Sequence, residues 1–417
     1  MKQRLLIAIG LTALAVPGIA SAQNVVTEWN NVAVSTALAG NAFIPSNSPN
    51  GMSLYLAYVH LAVHDAVNAI QHRYKPYGPA ISTAPGASVD AAVATAAYTM
   101  LRFHFPAQVD GLTARYKLSL AAVTDGDKQG GVDAGRTAAQ QIIDMRAGDG
   151  HDVTVPYTYP SVPTPGVWIP TPPAFAPPVT PWMGQMVPFT MTSASQFFPE
   201  PPPALSSPEW VDDYNQVKIL GAKNSTLRTD RQTETALFWT ENTAAQYARA
   251  LRNLAGARNL DAAETARLFA LVWTSSADAL IGCWNAKFFY SFWRPVTAIR
   301  SGDIDGNDGT APDSEWTPLA TTPGHPEYPS AHGCFTGALA GSLQVYFAGQ
   351  RFTFILSSTV TNTVHEIRSM GQLTQEVQNA RIWSGIHYHH SVVQGAELGA
   401  KVADQTFRGF FQPEATK

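Results

Sequence analysis

Cysteine is nearly absent from this chain, strand signals are sparse, and no long apolar run follows the first two dozen residues. Two cysteines, Cys283 and Cys334, exclude a disulfide-rich scaffold. They allow one bridge in an oxidising compartment, or two buried thiols. The formal net charge of −4 lacks the basic excess that a nucleic-acid partner requires. Beyond the N-terminus no segment supplies the roughly 20 apolar residues of a membrane-spanning helix.

What is present begins with "MKQRLLIAIGLTALAVPGIASAQ". Lys2 and Arg4 precede an apolar stretch broken by Pro17-Gly18 and closed by Ala20-Ser21-Ala22, the pattern of a secretory signal cleaved after Ala22. The expected product is exported, either periplasmic or secreted, with no membrane span after cleavage. At 417 residues and 45% hydrophobic content the rest can bury a large core.

Apolar residues recur at helical spacing over 51–70, 89–103 and 109–146, the last stopped by "AGDGHD". Helical patterns return after Pro208 through "DRQTETALFWTENTAAQYARALRNLA" and "DAAETARLFALVWTSSADALIGCWNAKFFYSFWRPVTAIR", then around 333–348 and 385–410. Between them, residues 155–205 hold a dense share of the 30 prolines, too many for helix or central strand. Trp168, Phe175, Trp182 and Phe189 would be wasted in solvent, so an ordered loop roofing a pocket is expected here. The expected organisation is a signal peptide at 1–22, an N-terminal helical part at 23–154, the ordered loop at 155–208 and a C-terminal helical core at 209–417. The fold class is all-α, a helical bundle without internal repeats.

Three pieces carry chemistry. In "KFFYSFWRP", Lys287 and Arg294 are seven residues apart, which on one helix turns both to one side, roughly 10 Å apart along the axis. Pro295 argues for a helix end or kink nearby. In "HPEYPSAHG", Ser330 and His332 stand where a helix could open, so Ser330 is an N-cap, a nucleophile, or part of an oxyanion pocket built on free main-chain N–H groups. The surroundings are not a Gly-x-Ser-x-Gly elbow, which weakens the nucleophile reading. In "ARIWSGIHYHH", Arg381 and His387 would sit about 120° apart on a continuous helix. A break at Ser384-Gly385 is therefore expected, letting both reach one point. Three permanent cations, one hydroxyl and two imidazoles suit phosphate or vanadate, and they bring no carboxylate cluster for a divalent metal.

The order Lys-x6-Arg-Pro, Pro-Ser-Ala-His, Ala-Arg-x5-His resembles the superfamily that joins vanadium-dependent haloperoxidases, type 2 phosphatidic acid phosphatases and class A bacterial acid phosphatases. "VHLAVHDAVNAI" and "PTPPAFAPP" are similar to stretches of secreted bacterial haloperoxidase-like proteins. The resemblance implies a helical bundle with vanadate as cofactor, or phosphate in its place in a phosphatase. Lys287, Arg294 and Arg381 would hold its oxygens, with Ser330 and the N–H of Ala331 adding hydrogen bonds. His387 would bond the vanadium, or attack phosphorus, and His332 would be the acid-base partner. Lys287 would polarise bound hydrogen peroxide, and halide would leave as hypohalous acid; in a phosphatase the substrate is a phosphate ester. Trp284 and His325 match halide-pocket positions of chloroperoxidases and bromoperoxidases. Three departures stand out: Ala331 for glycine, Ala380 for serine, and Ser391 where haloperoxidases often carry an acid. A non-catalytic oxyanion-binding module is the alternative of another class, although simple anion binding needs no pair of imidazoles.

Other signals are weaker. His60 and His64 at helical i,i+4 spacing beside Asp65 could ligate zinc, but core or interhelix hydrogen bonding fits better without a third ligand. His389 and His390 are read as supporting or surface groups, and "DIDGNDG" at 303–309 as a solvent loop rather than a calcium loop.

Overall fold

The computed structural model describes residues 24–40 and 48–414; the expected signal peptide lies outside them. Thirteen α-helices, three short 3-10 helices and one hairpin make up the regular structure of the described residues. The N-terminal helices are α1 (Val25–Leu38), α2 (Pro49–Gln71), α3 (Val89–His104), α4 (Val109–Ala122) and α5 (Lys128–Met145). After the proline-rich loop come α6 (Pro208–Leu220), α7 (Asp230–Phe238), α8 (Thr243–Ala257), α9 (Ala262–Tyr290), α10 (Pro295–Arg300), α11 (Ala331–Tyr346), α12 (Met370–Trp383) and α13 (His389–Gly409). The helical pattern over 109–146 is realised as two helices, α4 and α5. Gly126 takes φ +151°, and Asp127 caps α5 by accepting from Gln129 and Gly130 N–H.

Helix α9 is the axle. A capping box of Asp261 and Glu264 starts it, and nearly every residue from Ala263 to Trp284 is buried because α2, α11 and α13 pack around it. The expectation that Lys287 and Arg294 share one helix face is corrected at its end. Helix α9 stops at Tyr290, where Ser291 takes φ +47°, and Arg294 is the N-cap residue of the separate α10. Lys287 and Arg294 therefore converge through a turn rather than along one helix face.

Helices α11 and α13 approach through small residues. A Cβ on Gly337 would lie 2.2 Å from the Ala396 carbonyl oxygen, and one on Gly399 would lie 2.1 Å from that of Cys334. Any side chain there forces the helices apart, so these positions hold "PSAH" beside the chain that carries His387. The Ser330 N–H to Ser391 carbonyl bond, 3.0 Å, closes the same seam.

The proline-rich loop is ordered and pinned. Trp168, Trp182 and Phe189 are buried, whereas Phe175 is 63% exposed and belongs to no core. Trp168 N–H donates to Ser291, Trp284 Nε1 to the Val179 carbonyl and Asn285 to the Gly184 carbonyl. Its far end is held by Asp278, a buried carboxylate on α9 that accepts from the N–H groups of Phe189, Thr190 and Met191 and from the Thr190 hydroxyl, at 2.7 to 3.0 Å. Asp278→Asn turns one acceptor into a donor facing donors. A loss of about 2–4 kcal/mol is expected, read from the shift in urea midpoint.

No pattern was singled out for α1, α6, α12 or the antiparallel hairpin of β1 (Phe354–Ser358) and β2 (Thr363–Ile367), which buries Phe354, Leu356 and Ile367. Cys283 and Cys334 are buried free thiols. His60 pairs with Asn30 at 2.9 Å across α1 and α2, and His64 Nδ1 lies 3.0 Å from Asp65 Oδ1. Among the described residues no group of three His, Cys, Asp or Glu is arranged for a metal ion, and no helix is long and apolar enough to cross a membrane. In the 303–309 loop Asp305 turns inward to accept from Trp210 Nε1 and the Thr310 hydroxyl.

Candidate functional site

Helix α11 begins at Ala331 with Ser330 as its N-cap, the Ser330 hydroxyl accepting from Gly333 N–H at 3.4 Å. Helix α12 ends at Trp383, Gly385 takes φ +77°, and α13 opens at His389, so Arg381 and His387 flank a break at Ser384-Gly385. A Cβ on Gly385 would lie 2.4 Å from the Gly221 carbonyl oxygen; only glycine fits that turn.

These turns bring the distant pieces together. Arg294 Nη1 lies 3.3 Å from His387 Nε2 and 2.8 Å from the Ile386 carbonyl oxygen. Its Nε donates to the His325 carbonyl, and its Nη2 lies 3.0 Å from His325 Nδ1. Guanidinium only donates, so His387 Nε2 accepts and the His387 proton belongs on Nδ1, where it meets Glu327 Oε1 at 2.6 Å. His325 Nδ1 lies between the Arg294 guanidinium and the Pro326 carbonyl oxygen, 3.1 Å from the latter.

A cavity of about 280 Å³ opens on this cluster, lined by Trp284, His325, Ala331, His332 and His387 and closed by Val179, Leu280 and Phe335. The Trp284 and His325 rings lie 5.0 Å apart in its wall. A second cavity, about 610 Å³, lies beyond His332 and reaches Arg381. His332, Pro49 and Pro323 border both. The His332 Nε2 is 2.9 Å from the Thr243 hydroxyl.

Lys287, Arg294 and Ser330 line neither cavity; they stand behind the wall. Lys287 spends its donors on the carbonyls of Pro326, Glu327 and Pro329, at 2.5 to 3.0 Å, and so clamps the turn that leads into α11. Arg381 gives one Nη1 bond to the Trp239 carbonyl and leaves its buried Nε without a partner.

Electrostatically the cluster is out of balance. Lys287, Arg294 and Arg381 are buried, and none forms an ion pair with a described residue. Glu327 is the buried carboxylate among them. Burial pushes Lys287 down to about 8, Arg294 to about 10 and Arg381 to about 9. It pushes Glu327 up to about 7, against the pull of Arg294 and Lys287. Burial, reinforced by the cations, holds His325, His332 and His387 well below the usual imidazole range, so all three are neutral. Cations gathered without matching carboxylates, plus an unspent Arg381 N–H, fit an anion. Vanadate or phosphate suits this donor set, with a neutral imidazole nitrogen as the ligating or attacking atom.

Glu327 and Thr243 were not singled out from the sequence. Glu327 had a signal, being the lone acid within "HPEYPSAHG". Thr243 had none, since it comes from the first turn of α8.

The comparisons with known proteins agree with this arrangement. Residues 267–412 match the family model described as the VCPO second helical-bundle domain. A vanadium chloroperoxidase of Curvularia inaequalis is 28% identical over 199 residues, 41% of this chain and 33% of that protein, so the match spans about a third of the relative's length. The crystal structure of the first bacterial vanadium-dependent iodoperoxidase superposes with a TM-score of 0.79 at 23% identity, covering 93% of this chain and 97% of that one. A holo-type bacterial vanadium-dependent chloroperoxidase gives 0.71 at 18%, over 88% and 94%. The two superpositions establish the helical fold; the three motif segments lie inside the matched 267–412. Residues 267–412, which hold the three motifs, thus match the VCPO second helical-bundle domain, and the chain as a whole shares the helical fold of the bacterial vanadium-dependent haloperoxidases.

Proposed function

We propose that the protein is an exported, vanadate-dependent haloperoxidase that oxidises halide with hydrogen peroxide to hypohalous acid. The observation that carries this reading is the buried excess of positive charge around His387, three cations against one carboxylate. Arg294 and Arg381 would hold the oxyanion, with Ser330 and the N–H of Ala331. His387 Nε2, kept free of its proton by the bond at Nδ1, would be the ligating nitrogen. When bound, vanadate supplies a Lewis acid that activates peroxide.

The chain's own residues do the rest. Lys287 holds the 326–329 turn and adds its field to the site. His332, neutral and hydrogen-bonded to Thr243, is the group able to take or return a proton at the cavity boundary. Val179, Leu280 and Phe335 exclude water from that side. Trp284 and His325 form the wall against which halide would approach. The Lys2-to-Ala22 pattern supports export, to the periplasm or beyond.

An acid phosphatase working through a phosphohistidine would use the same residues. The Trp284–His325 wall and the haloperoxidase relatives favour the peroxidase. The test is a paired assay on purified protein: bromination of a phenolic dye by peroxide with and without vanadate, beside hydrolysis of an aryl phosphate. Vanadate-dependent bromination is expected. Phosphate release that vanadate inhibits, with no bromination, would replace this reading with the phosphatase, and neither activity would leave an anion-binding module.

A further inference from the structure

His387 bonds to a carboxylate that comes from a different piece of the chain. Glu327 stands between His325 and Ser330, sixty residues upstream, and is wholly buried. Its Oε1 accepts from His387 Nδ1 at 2.6 Å and from the Tyr388 N–H at 3.1 Å. Lys287 grips the main chain on both sides of it, through the carbonyls of Pro326, Glu327 and Pro329. The carboxylate is thus fixed in place by the same cation that belongs to the cluster. Burying an acid is costly unless it has such partners. A group so expensive, held so firmly against one imidazole, serves that imidazole.

Position 391 makes the point sharper. Ser391 lies one helical turn after His387 and its hydroxyl faces the Glu327 carboxylate. The place next to the ring from which α13 itself could have supplied an acid therefore holds a serine. We infer that Glu327 is the positioning residue for His387: it holds the ring proton on Nδ1 and leaves Nε2 as the lone pair presented to the oxyanion. The inference rests on His387 being the oxyanion-facing nitrogen, but not on which reaction follows. A ring without that acceptor would keep only the 3.3 Å contact with Arg294, would sample other orientations, and would bind vanadate less tightly.

The experiment uses the full mature chain. Glu327→Ala is compared with the double variant Glu327→Ala/Ser391→Asp, in which a carboxylate grows from the neighbouring position. Each is read by the low-field imidazole N–H signal of 15N-histidine-labelled protein without vanadate, and by the vanadate dissociation constant from calorimetry. Glu327→Ala is expected to lose the signal and to weaken vanadate binding about 10- to 100-fold. The double variant should recover the signal and most of the affinity. If Glu327→Ala does not fold, Glu327→Gln keeps the shape and the acceptor oxygen without the charge, and an intermediate loss of affinity is expected. Unchanged affinity in any folded single variant, or a double variant that regains the signal without regaining affinity, overturns the assignment. Because neither readout is halide turnover, a protein that binds vanadate yet oxidises no halide still decides the question.

Discussion

His387→Ala is expected to eliminate vanadate-dependent bromination, with a fall on the order of 10³-fold or more, while leaving a folded protein. The size follows from the atom removed. Only His387 offers the cluster a nitrogen whose proton is fixed on the far side of the ring, by Glu327 at 2.6 Å. Removing a group that works as a unit with its neighbours costs nearly as much as removing the whole unit. The structural cost is smaller, because Glu327 keeps the Tyr388 N–H as a partner and loses a single hydrogen bond, worth about 1–3 kcal/mol when the orphaned group is buried. The check is a pair of measurements on one preparation, bromination rate at saturating vanadate and thermal midpoint. A variant that keeps the rate would remove His387 from the chemistry.

How far the residues announced this arrangement differs from piece to piece. The Ser384-Gly385 break was legible because a continuous helix would have turned Arg381 and His387 apart, and Gly385 takes φ +77° there. The buried Trp168, Trp182 and Phe189 of the proline-rich loop were legible because large aromatics are rarely left in solvent. The Lys287–Arg294 geometry was misjudged: Pro295 signalled an end, but the turn at Ser291 places that end four residues earlier. The helical pattern over 109–146 holds for α4 and α5, but the break between them at Asp125-Gly126-Asp127 is set by capping chemistry that apolar periodicity does not show. Helix α12 has little amphipathic pattern, and the alternating burial of the hairpin is hidden in the sequence because the exposed Ile355 and Val364 are as apolar as the buried Phe354, Leu356 and Ile367. Glu327 escaped notice because its partner is sixty residues away; only the fold gives that acid a purpose.

Arg294 is where stability and function meet most directly, and Arg294→Met is expected to cost about 3–5 kcal/mol and to abolish measurable vanadate binding. The side chain ties the His325 and Ile386 carbonyls together and touches the rings of both histidines, so its loss orphans two buried acceptors in the two segments that build the site. One effect works in the opposite direction. Arg294 lowers the pKa of Lys287, Arg381 and His387, so deleting it relieves repulsion among the remaining charges. The four contacts outweigh that relief, because the repulsion falls on two cations, Lys287 and Arg381, while the orphaned carbonyls are buried behind the cavity wall. Ligand linkage separates the two contributions. Vanadate at a hundred times its dissociation constant should stabilise the native protein by about 2.7 kcal/mol in urea unfolding. The variant should show no such gain. If Arg294→Met were instead more stable than the native chain without vanadate, repulsion among the cations would dominate the cluster, and the charge excess itself, rather than the hydrogen bonds, would be the feature that vanadate binding relieves.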